Sequence, residues 1–182
     1  MKKHVVEFKF IELETSRLRL RKLVLSDAAQ LELLRSDERV NRYLDRPAST
    51  SYAEAVQFVN KILAADSYYW VINLKNETKL IGTVCFWNLD YENSVVEIGY
   101  ELLPEFHGKG IMMEALPAVI AYNLDHLQFD TIIATTHSEN IPSIKLLENN
   151  DFKRDSLREK QLHVEGGHLN EVVYSLKKHK AS

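Results

Sequence analysis

The sequence of 182 residues contains one cysteine, Cys85, and this scarcity sets the first limits on its class. A single cysteine cannot form an internal disulfide, so the disulfide framework of small secreted proteins is excluded and a reducing compartment, the cytoplasm, is expected. Cys85 lies in a strand-like run, residues 82–87, where a small buried side chain is the usual case. We therefore expect no nucleophilic role for this residue.

Long hydrophobic runs and an excess of positive charge are also missing. The longest apolar stretch, residues 111–124, is interrupted by Glu114 and falls short of the roughly 20 residues that a bilayer requires, so no membrane association is expected. Charged residues interrupt the N-terminal segment, which excludes the core of a signal peptide. A formal net charge of −3 provides no broad basic surface, and nucleic acid is therefore not expected as a ligand.

Two kinds of motif are absent from the sequence. The seven histidines show no His-Glu-x-x-His or Cys/His spacing, so we expect no metal ion. Gly108 and Gly110 are not followed by the third glycine of a dinucleotide fingerprint, because Met113 occupies that place. No P-loop occurs either, so the sequence disfavours binding of ATP and NAD.

Strand and helix patterns alternate along the chain without a linker or repeat, which predicts a single domain over residues 1–182. Strands are predicted at 17–24, 68–74, 80–89, 95–103, 131–136, 153–161 and 170–177. Helices are predicted at 28–35 and 52–65, with a third from about Lys109 and a fourth opened by Asn140. Residues 46–50 are predicted to be a loop that shapes a substrate pocket.

Residues 105–110 are the most informative stretch, because they join an apolar strand pattern to a helical pattern. Gly108 and Gly110 allow a tight turn that exposes successive N–H groups, and the following helix adds the positive end of its dipole. This arrangement predicts a site for phosphate or pyrophosphate.

The order of elements around this loop resembles the GNAT superfamily of N-acetyltransferases, and within it the RimJ/RimL-like ribosomal-protein alanine acetyltransferase group. The order is strand, glycine loop, helix, strand, the polar helix entry at residues 140–143, helix, and finally residues 151–152. The resemblance covers about residues 13–176. In the family's loop signature of Gln or Arg, two residues, Gly, one residue, and Gly or Ala, Gly108 and Gly110 match, whereas Glu105 departs from it.

This resemblance implies an α/β (α+β) fold with a central mixed, mostly antiparallel twisted sheet of about seven strands flanked by helices. It also implies a strand pair splayed at the cofactor site, with the pantetheine arm of acetyl-CoA in the gap. The cofactor's pyrophosphate is then expected on the backbone amides of His107, Gly108, Lys109, Gly110 and Ile111, with Met112 near by.

Direct transfer of an acetyl group requires a neutral amine, and a carboxylate can accept the amine's proton. The resemblance favours Glu97, on the strand that leads into the glycine loop, as this base, acting directly or through a water molecule. Glu101 lies four residues further on the same strand face, and we interpret it as an ion-pair partner of cross-strand cations, which is also the alternative for Glu97.

A thioester carbonyl needs hydrogen-bond donors, and the strand end before Pro104 predicts free N–H groups at Leu102 and Leu103. The resemblance implies that Asn140 contacts the pantetheine arm and that Ser143 lies near the sulfur as a proton donor. Asn140 is also predicted to cap a helix. The tyrosine acid of many superfamily members has no counterpart, because Leu147 occupies its position.

Trp87 and Tyr100 are interpreted as core or pocket wall. The expected acceptor is a protein N-terminal α-amine. A small-molecule amine such as a polyamine or aminoglycoside is the alternative, and a non-catalytic CoA-binding module is the alternative of another class. The sequence leaves the oligomeric state open, including a homodimer paired through an exposed edge strand.

Overall fold

A computed structural model describes residues 10–44, 46, 51–65 and 67–178, and its centre is an eight-stranded sheet in the order β1-β2-β3-β4-β5-β6-β8-β7. The strands are β1 (Leu13–Glu14), β2 (Leu18–Lys22), β3 (Tyr68–Leu74), β4 (Gly82–Asp90), β5 (Val95–Leu102), β6 (Thr131–His137), β7 (Lys153–Arg154) and β8 (Glu171–Lys177). Only β5 and β6 pair in parallel. The predicted mixed, mostly antiparallel sheet is therefore confirmed, with the two-residue β1 as the additional strand.

Helices cover both faces of the sheet. They are α1 (Ala28–Ser36), α2 (Glu38–Asn41), α3 (Tyr52–Ala64), α4 (Ile111–Tyr122), α5 (Ile141–Glu148) and α6 (Ser156–Val164). Helix α3 begins where the Ser51 side chain accepts a hydrogen bond from the Glu54 N–H, and it buries Ala55 and Val59 one turn apart. The predicted helices at 28–35 and 52–65 are thus confirmed. Of the predicted loop at 46–50, only Arg46 is among the described residues.

The hydrophobic core has two layers, one on each face of the sheet, and β3 is buried by both. Trp70 and Ile72 face the layer that contains α4, whereas Tyr69 and Val71 face the layer under α1 and α3. This alternation follows from the period of two in a strand, and it explains why β3 is a nearly continuous apolar run. The sheet consequently has one face toward α4 and an opposite face toward α1 and α3.

The predicted strand at 153–161 is wrong. The structure has only two strand residues there, β7, followed by helix α6. The Asp155 side chain accepts a hydrogen bond from the Arg158 N–H, and Arg154 forms a salt bridge with Glu159 at 2.7 Å. The sequence contains an N-cap residue, Asp155, followed by strong helix formers, and these favour a helix over the predicted strand. Helix α2, capped by Asp37, was also not predicted.

The splayed strand pair is confirmed at β5 and β6. These strands pair over three positions only, ending at Glu97 with Ile133. Beyond that point β5 stays paired with β4 as far as Leu102, while β6 stays paired with β8 as far as His137. We call the resulting gap between β5 and β6 the cleft.

Replacing Asp155 with alanine is expected to lower the free energy of unfolding by about 1 kcal/mol, because the α6 cap loses its side-chain acceptor. Urea denaturation followed by circular dichroism measures this change. Asp155→Asn is the control, since an amide oxygen still caps the helix and should retain most of the stability. Equal losses in both variants would contradict the capping role.

Candidate active site

The glycine loop opens α4 with a left-handed backbone. Gly108 and Gly110 have φ angles of 72° and 71°, which side-chain-bearing residues rarely adopt. The first helical hydrogen bond runs from the Glu114 N–H to the Gly110 carbonyl at 3.1 Å. The N–H groups of Ile111 and Met112 therefore have no acceptor within the helix. These free N–H groups and the positive end of the helix dipole are the features that the predicted anion site requires.

Two carbonyl groups of the glycine loop accept hydrogen bonds from an arginine side chain. Arg17, just before β2, donates from Nη1 to the Lys109 carbonyl at 3.0 Å and from Nη2 to the Gly110 carbonyl at 3.2 Å. Because these carbonyls are engaged by Arg17, the loop is held in one conformation. Its glycines remain exposed to solvent.

Arg17 is itself held by Glu114 of α4. The Glu114 carboxylate accepts from the Arg17 backbone N–H at 2.7 Å and from Arg17 Nε at 2.6 Å, and it also accepts from the Thr15 hydroxyl. Burial alone would raise the pKa of Glu114, but the hydrogen bonds from Thr15 and Arg17 outweigh it and lower the pKa to about 2. Glu114 is therefore charged throughout the physiological range.

Two of the predicted amide donors are already engaged. The Leu103 N–H donates to the Ile81 carbonyl at 2.9 Å, and the His107 N–H donates to the Pro104 carbonyl at 3.1 Å. The expectation of free N–H groups at Leu103 and His107 is wrong for this reason: Leu103 continues the ladder toward β4, and the residues after Pro104 form a tight turn. The His107 side chain instead donates from Nε2 to the Leu102 carbonyl at 2.9 Å.

The backbone N–H group of Leu102 points to the side of β5 that faces away from β4. The Leu103 N–H points to β4, whereas the Ser94 carbonyl accepts from the Thr131 N–H of β6 at 3.1 Å. Since backbone groups alternate between the two sides of a strand, even-numbered residues of β5 face β6. Past the last β5–β6 pair, the N–H groups of Tyr100 and Leu102 consequently face the cleft.

Glu97 lies at the last paired position, where the cleft begins. It is 7% exposed, and its Oε2 accepts from Asn88 Nδ2 at 3.1 Å. Asn88 belongs to an irregularity in β4, which directs its side chain toward Glu97. Desolvation raises the pKa of Glu97, hydrogen bonds from Thr135 and Asn88 oppose the rise, and the charge of Glu171 adds to it. A raised pKa makes this carboxylate a better proton acceptor.

Glu101 is occupied by arginines, which confirms its interpretation as an ion-pair partner, whereas the expectation of cross-strand cations is wrong. Arg46 binds both of its carboxylate oxygens at 2.6 Å, and Arg35 Nη1 lies 3.8 Å from Oε1. These cations come from α1 and from the segment before α3, and neither belongs to a neighbouring strand.

The entry to α5 brings Asn140 and Ser143 to the other side of the cleft. Asn140 Oδ1 accepts from the Ser143 N–H at 3.3 Å, and Asn140 Nδ2 donates to the Thr136 hydroxyl at 3.2 Å. The predicted cap is confirmed. Leu147, one turn further along α5, is completely buried in the core.

Tyr100, interpreted from the sequence as core or pocket wall, makes a contact in the cleft that the sequence did not predict. Its hydroxyl lies 2.8 Å from Ser143 Oγ, so that a side chain of β5 reaches α5 across the cleft. Burial raises the pKa of Tyr100 to about 12, against the effect of the hydrogen bond with Ser143. The phenol is therefore protonated at neutral pH. No local pattern connects positions 100 and 143, and only the divergence of β5 from β6 explains the contact.

The described residues contain neither a cluster of metal ligands nor a membrane-spanning helix. Within residues 10–44, 46, 51–65 and 67–178, no group of three histidine, cysteine, aspartate or glutamate side chains lies close enough to hold a metal ion. No helix in the same ranges has the length and apolar character needed to cross a bilayer.

Comparison with known proteins identifies the family. Residues 17–153 match the acetyltransferase (GNAT) domain. The chain is 34% identical over 170 residues to the N-acetyltransferase p20 of Bacillus licheniformis, covering 91% of this chain and 96% of that protein. The chain therefore belongs to the GNAT family, as the resemblance predicted. It is an N-acetyltransferase that uses acetyl-CoA and acts on an amine.

Solved structures agree in fold. The ribosomal-protein-S5-alanine acetyltransferase of Vibrio fischeri has a TM-score of 0.74 at 21% identity, with 94% of this chain and 99% of that chain covered. RimL, a ribosomal L7/L12 α-N-protein acetyltransferase in complex with coenzyme A, has a TM-score of 0.77 at 20% identity, with 92% and 98% covered.

The residues of the loop and the cleft fit acetyl-CoA. A Cβ placed on Gly108 would meet no atom within 4 Å, so the loop has an open side where a diphosphate can approach the amides. The Leu102 N–H in the cleft is a further hydrogen-bond donor for the cofactor. The carboxylate of Glu105 opposes an anion modestly, but it leaves the backbone donors in place.

Gly108→Ala is expected to weaken binding of coenzyme A by about tenfold, because a left-handed alanine costs roughly 1–2 kcal/mol and shifts the loop. Calorimetric titration with coenzyme A measures the affinity. Gly166→Ala is the control, since Gly166 also has a positive φ with open space around it but lies before β8, away from the loop. Unchanged affinity in Gly108→Ala would contradict the assignment of the anion site.

Proposed function

We propose that this enzyme acetylates the N-terminal α-amine of a protein, with Glu97 as the base. The observation that carries the proposal is the position of Glu97 at the start of the cleft, buried and with a raised pKa. An α-amine has a pKa near 7.7–8.0, whereas a lysine side chain is near 10.4. A carboxylate with a raised pKa is better matched to the α-amine than to the more basic lysine amine.

The cofactor is proposed to lie along the loop and the cleft. The proposed contacts are the backbone of Leu102, Leu103, His107, Gly108, Lys109, Gly110, Ile111 and Met112, and the side chains of Asn140 and Ser143. Leu103 and His107 are included among these contacts because they line the cleft and the loop. Their N–H groups are engaged by other carbonyls and are not proposed as donors to the cofactor. Acetyl-CoA supplies an activated acyl group as a thioester, and no covalent enzyme intermediate is required. The Leu102 N–H is oriented to stabilise negative charge on the acyl oxygen.

Protons move at two places in this proposal. Glu97 accepts the proton of the acceptor ammonium, directly or through a water molecule. The hydroxyl pair of Tyr100 and Ser143 stands near the departing sulfur, with Ser143 as donor and Tyr100 as the group that orients it. A thiol ionises near pH 8.5, so this second contribution is smaller than that of the base.

The names of related proteins support a protein acceptor. The S5-alanine acetyltransferase and RimL are both described as ribosomal-protein acetyltransferases. A small-molecule amine is the second candidate, because the microcin C7 self-immunity acetyltransferase MccE has the same fold with a TM-score of 0.72 at 22% identity. We further propose a single domain over residues 1–182 and a cytoplasmic location, which the solitary Cys85 favours.

An acceptor screen decides between these candidates. N-terminal peptides, polyamines and aminoglycosides are compared at equal concentration, with acceptor-dependent release of free thiol as the readout. Higher kcat/KM for peptides supports the proposal, and exclusive turnover of small amines overturns it. A CoA-binding module without catalysis would release no acceptor-dependent thiol.

Glu97→Gln is expected to lower kcat by about 10²–10⁴ at neutral pH, the usual contribution of a general base. In the wild type, kcat falls as pH falls through the raised pKa of Glu97, because the protonated carboxyl cannot accept a proton. The variant should lose this limb of the pH–rate profile. Glu92→Gln, at an exposed turn, is the control. Wild-type rates and an unchanged pH profile in Glu97→Gln would exclude Glu97 as the base.

Tyr100→Phe and Ser143→Ala are each expected to lower kcat by about tenfold, and the double variant by no more than the larger single effect. The reason is that the two hydroxyls act as one hydrogen-bonded unit, for which mutational effects are not additive. Tyr91→Phe, at an exposed tyrosine, is the control. Multiplicative losses in the double variant would show that the two residues act separately.

A further inference from the structure

Two arginines share one carboxylate on the face of the sheet that carries Glu97. Arg46 binds both oxygens of Glu101 and also donates from Nε and Nη2 to Asn41 Oδ1 at 3.1 and 3.0 Å. Arg35 approaches the same carboxylate only to 3.8 Å. The side chains of Arg35 and Arg46 are 15% and 18% exposed. Counted over the described residues alone, this cluster of Arg35, Arg46 and Glu101 has one positive charge in excess, largely withdrawn from solvent.

Arg35 is the arginine whose charge is not balanced. Its guanidinium stacks over the Phe58 ring, with Cζ 4.1 Å from the ring centroid. Among the side chains and backbone groups that the structure describes, none accepts a hydrogen bond from it. Burial and then the neighbouring charge of Arg46 lower the pKa of Arg35, although a guanidinium stays protonated at neutral pH. A mostly buried charge with five donors and no acceptor is costly for the fold alone.

The cluster lies on the face of β5 from which the amine acceptor is proposed to reach Glu97. Glu97 and Glu101 are four residues apart and on the same face, because side chains alternate along a strand. At about 3.3 Å per residue, their Cα atoms are roughly 13 Å apart. The cations thus stand on the side of the sheet where an acceptor would reach Glu97, at a fixed distance from the proposed reaction centre.

We propose that Arg35 forms an anion subsite that binds a carboxylate of the acceptor, on the order of 10 Å from the reacting nitrogen. The planar fork of a guanidinium matches a carboxylate in two parallel hydrogen bonds. One carboxylate also neutralises the single excess charge of the cluster, whereas a phosphate dianion would exceed it. The inference rests on the proposed N-terminal acceptor. In an extended peptide at about 3.3–3.6 Å per residue, the carboxylate falls near the third or fourth residue.

The test uses peptides that share one N-terminal residue and carry a single glutamate, or the matched glutamine, at position 2, 3, 4 or 5. For wild-type enzyme we expect the glutamate peptide to have at least tenfold higher kcat/KM at one position. Arg35→Met keeps the apolar stem over Phe58 and should reduce that ratio to about one. Arg39→Met is the matched control and should preserve the ratio, because Arg39 is exposed on α2 and paired with Asp37 at 2.6 Å. No preference at any position, or a preference that survives Arg35→Met, would overturn the subsite.

Thermal unfolding provides a readout that does not depend on turnover. Arg35→Met should leave the Tm of the unliganded enzyme unchanged or raise it, because it removes an unbalanced buried charge. A clear fall in Tm would show that Arg35 is a structural ion-pair residue and would overturn the proposal. If no peptide is acetylated, yet the glutamate peptide raises the Tm of the wild type and not of Arg35→Met, the proposed acceptor fails and the subsite stands.

Discussion

The separation of β5 from β6 after three residue pairs is the constraint on which the rest of the site depends. Each strand keeps its other neighbour, so the sheet loses no support while two rows of backbone groups are left without a partner strand. Backbone polar groups in a protein interior need hydrogen-bond partners, and an extended amide-containing chain is suited to supply them. The pantetheine arm of acetyl-CoA has that chemistry. Glu97 is placed at the start of the cleft by the same divergence.

In the proposed function, the two faces of the sheet divide the chemistry between cofactor and acceptor. Helix α4 and its glycine loop supply donors for a diphosphate, and their carbonyl groups are bound by Arg17. On the opposite face, α1 and the segment before α3 contribute the cations around Glu101. Glu97 is the carboxylate proposed to meet the acceptor's ammonium, and the free amides of the glycine loop are the donors proposed for the phosphate oxygens. This separation keeps each site from competing for the ligand of the other.

The sequence predicted the glycine loop and the cap by Asn140 because each depends on local chemistry: positive φ and a short side-chain acceptor. The mixed, mostly antiparallel sheet was implied by the family resemblance. Sequence reasoning failed at residues 153–161, where a cap by Asp155 and strong helix formers outweighed the strand interpretation. It also did not predict the contact between Tyr100 and Ser143, since the two residues are 43 positions apart and no local pattern connects them. Contacts set by the divergence of two strands need the three-dimensional arrangement.

The link between Arg17 and Glu114 joins positions 97 residues apart, so the carbonyl groups behind the amides at the mouth of α4 are bound only when the segment before β2 is docked on α4. A partly folded chain in which this segment is not docked would have the glycines but not the fixed carbonyls behind them. Coenzyme binding would then select the completely assembled fold and stabilise it by mass action. Occupancy by the cofactor would thus protect the amino-terminal part of the domain from local opening, although that part is remote in sequence from the loop.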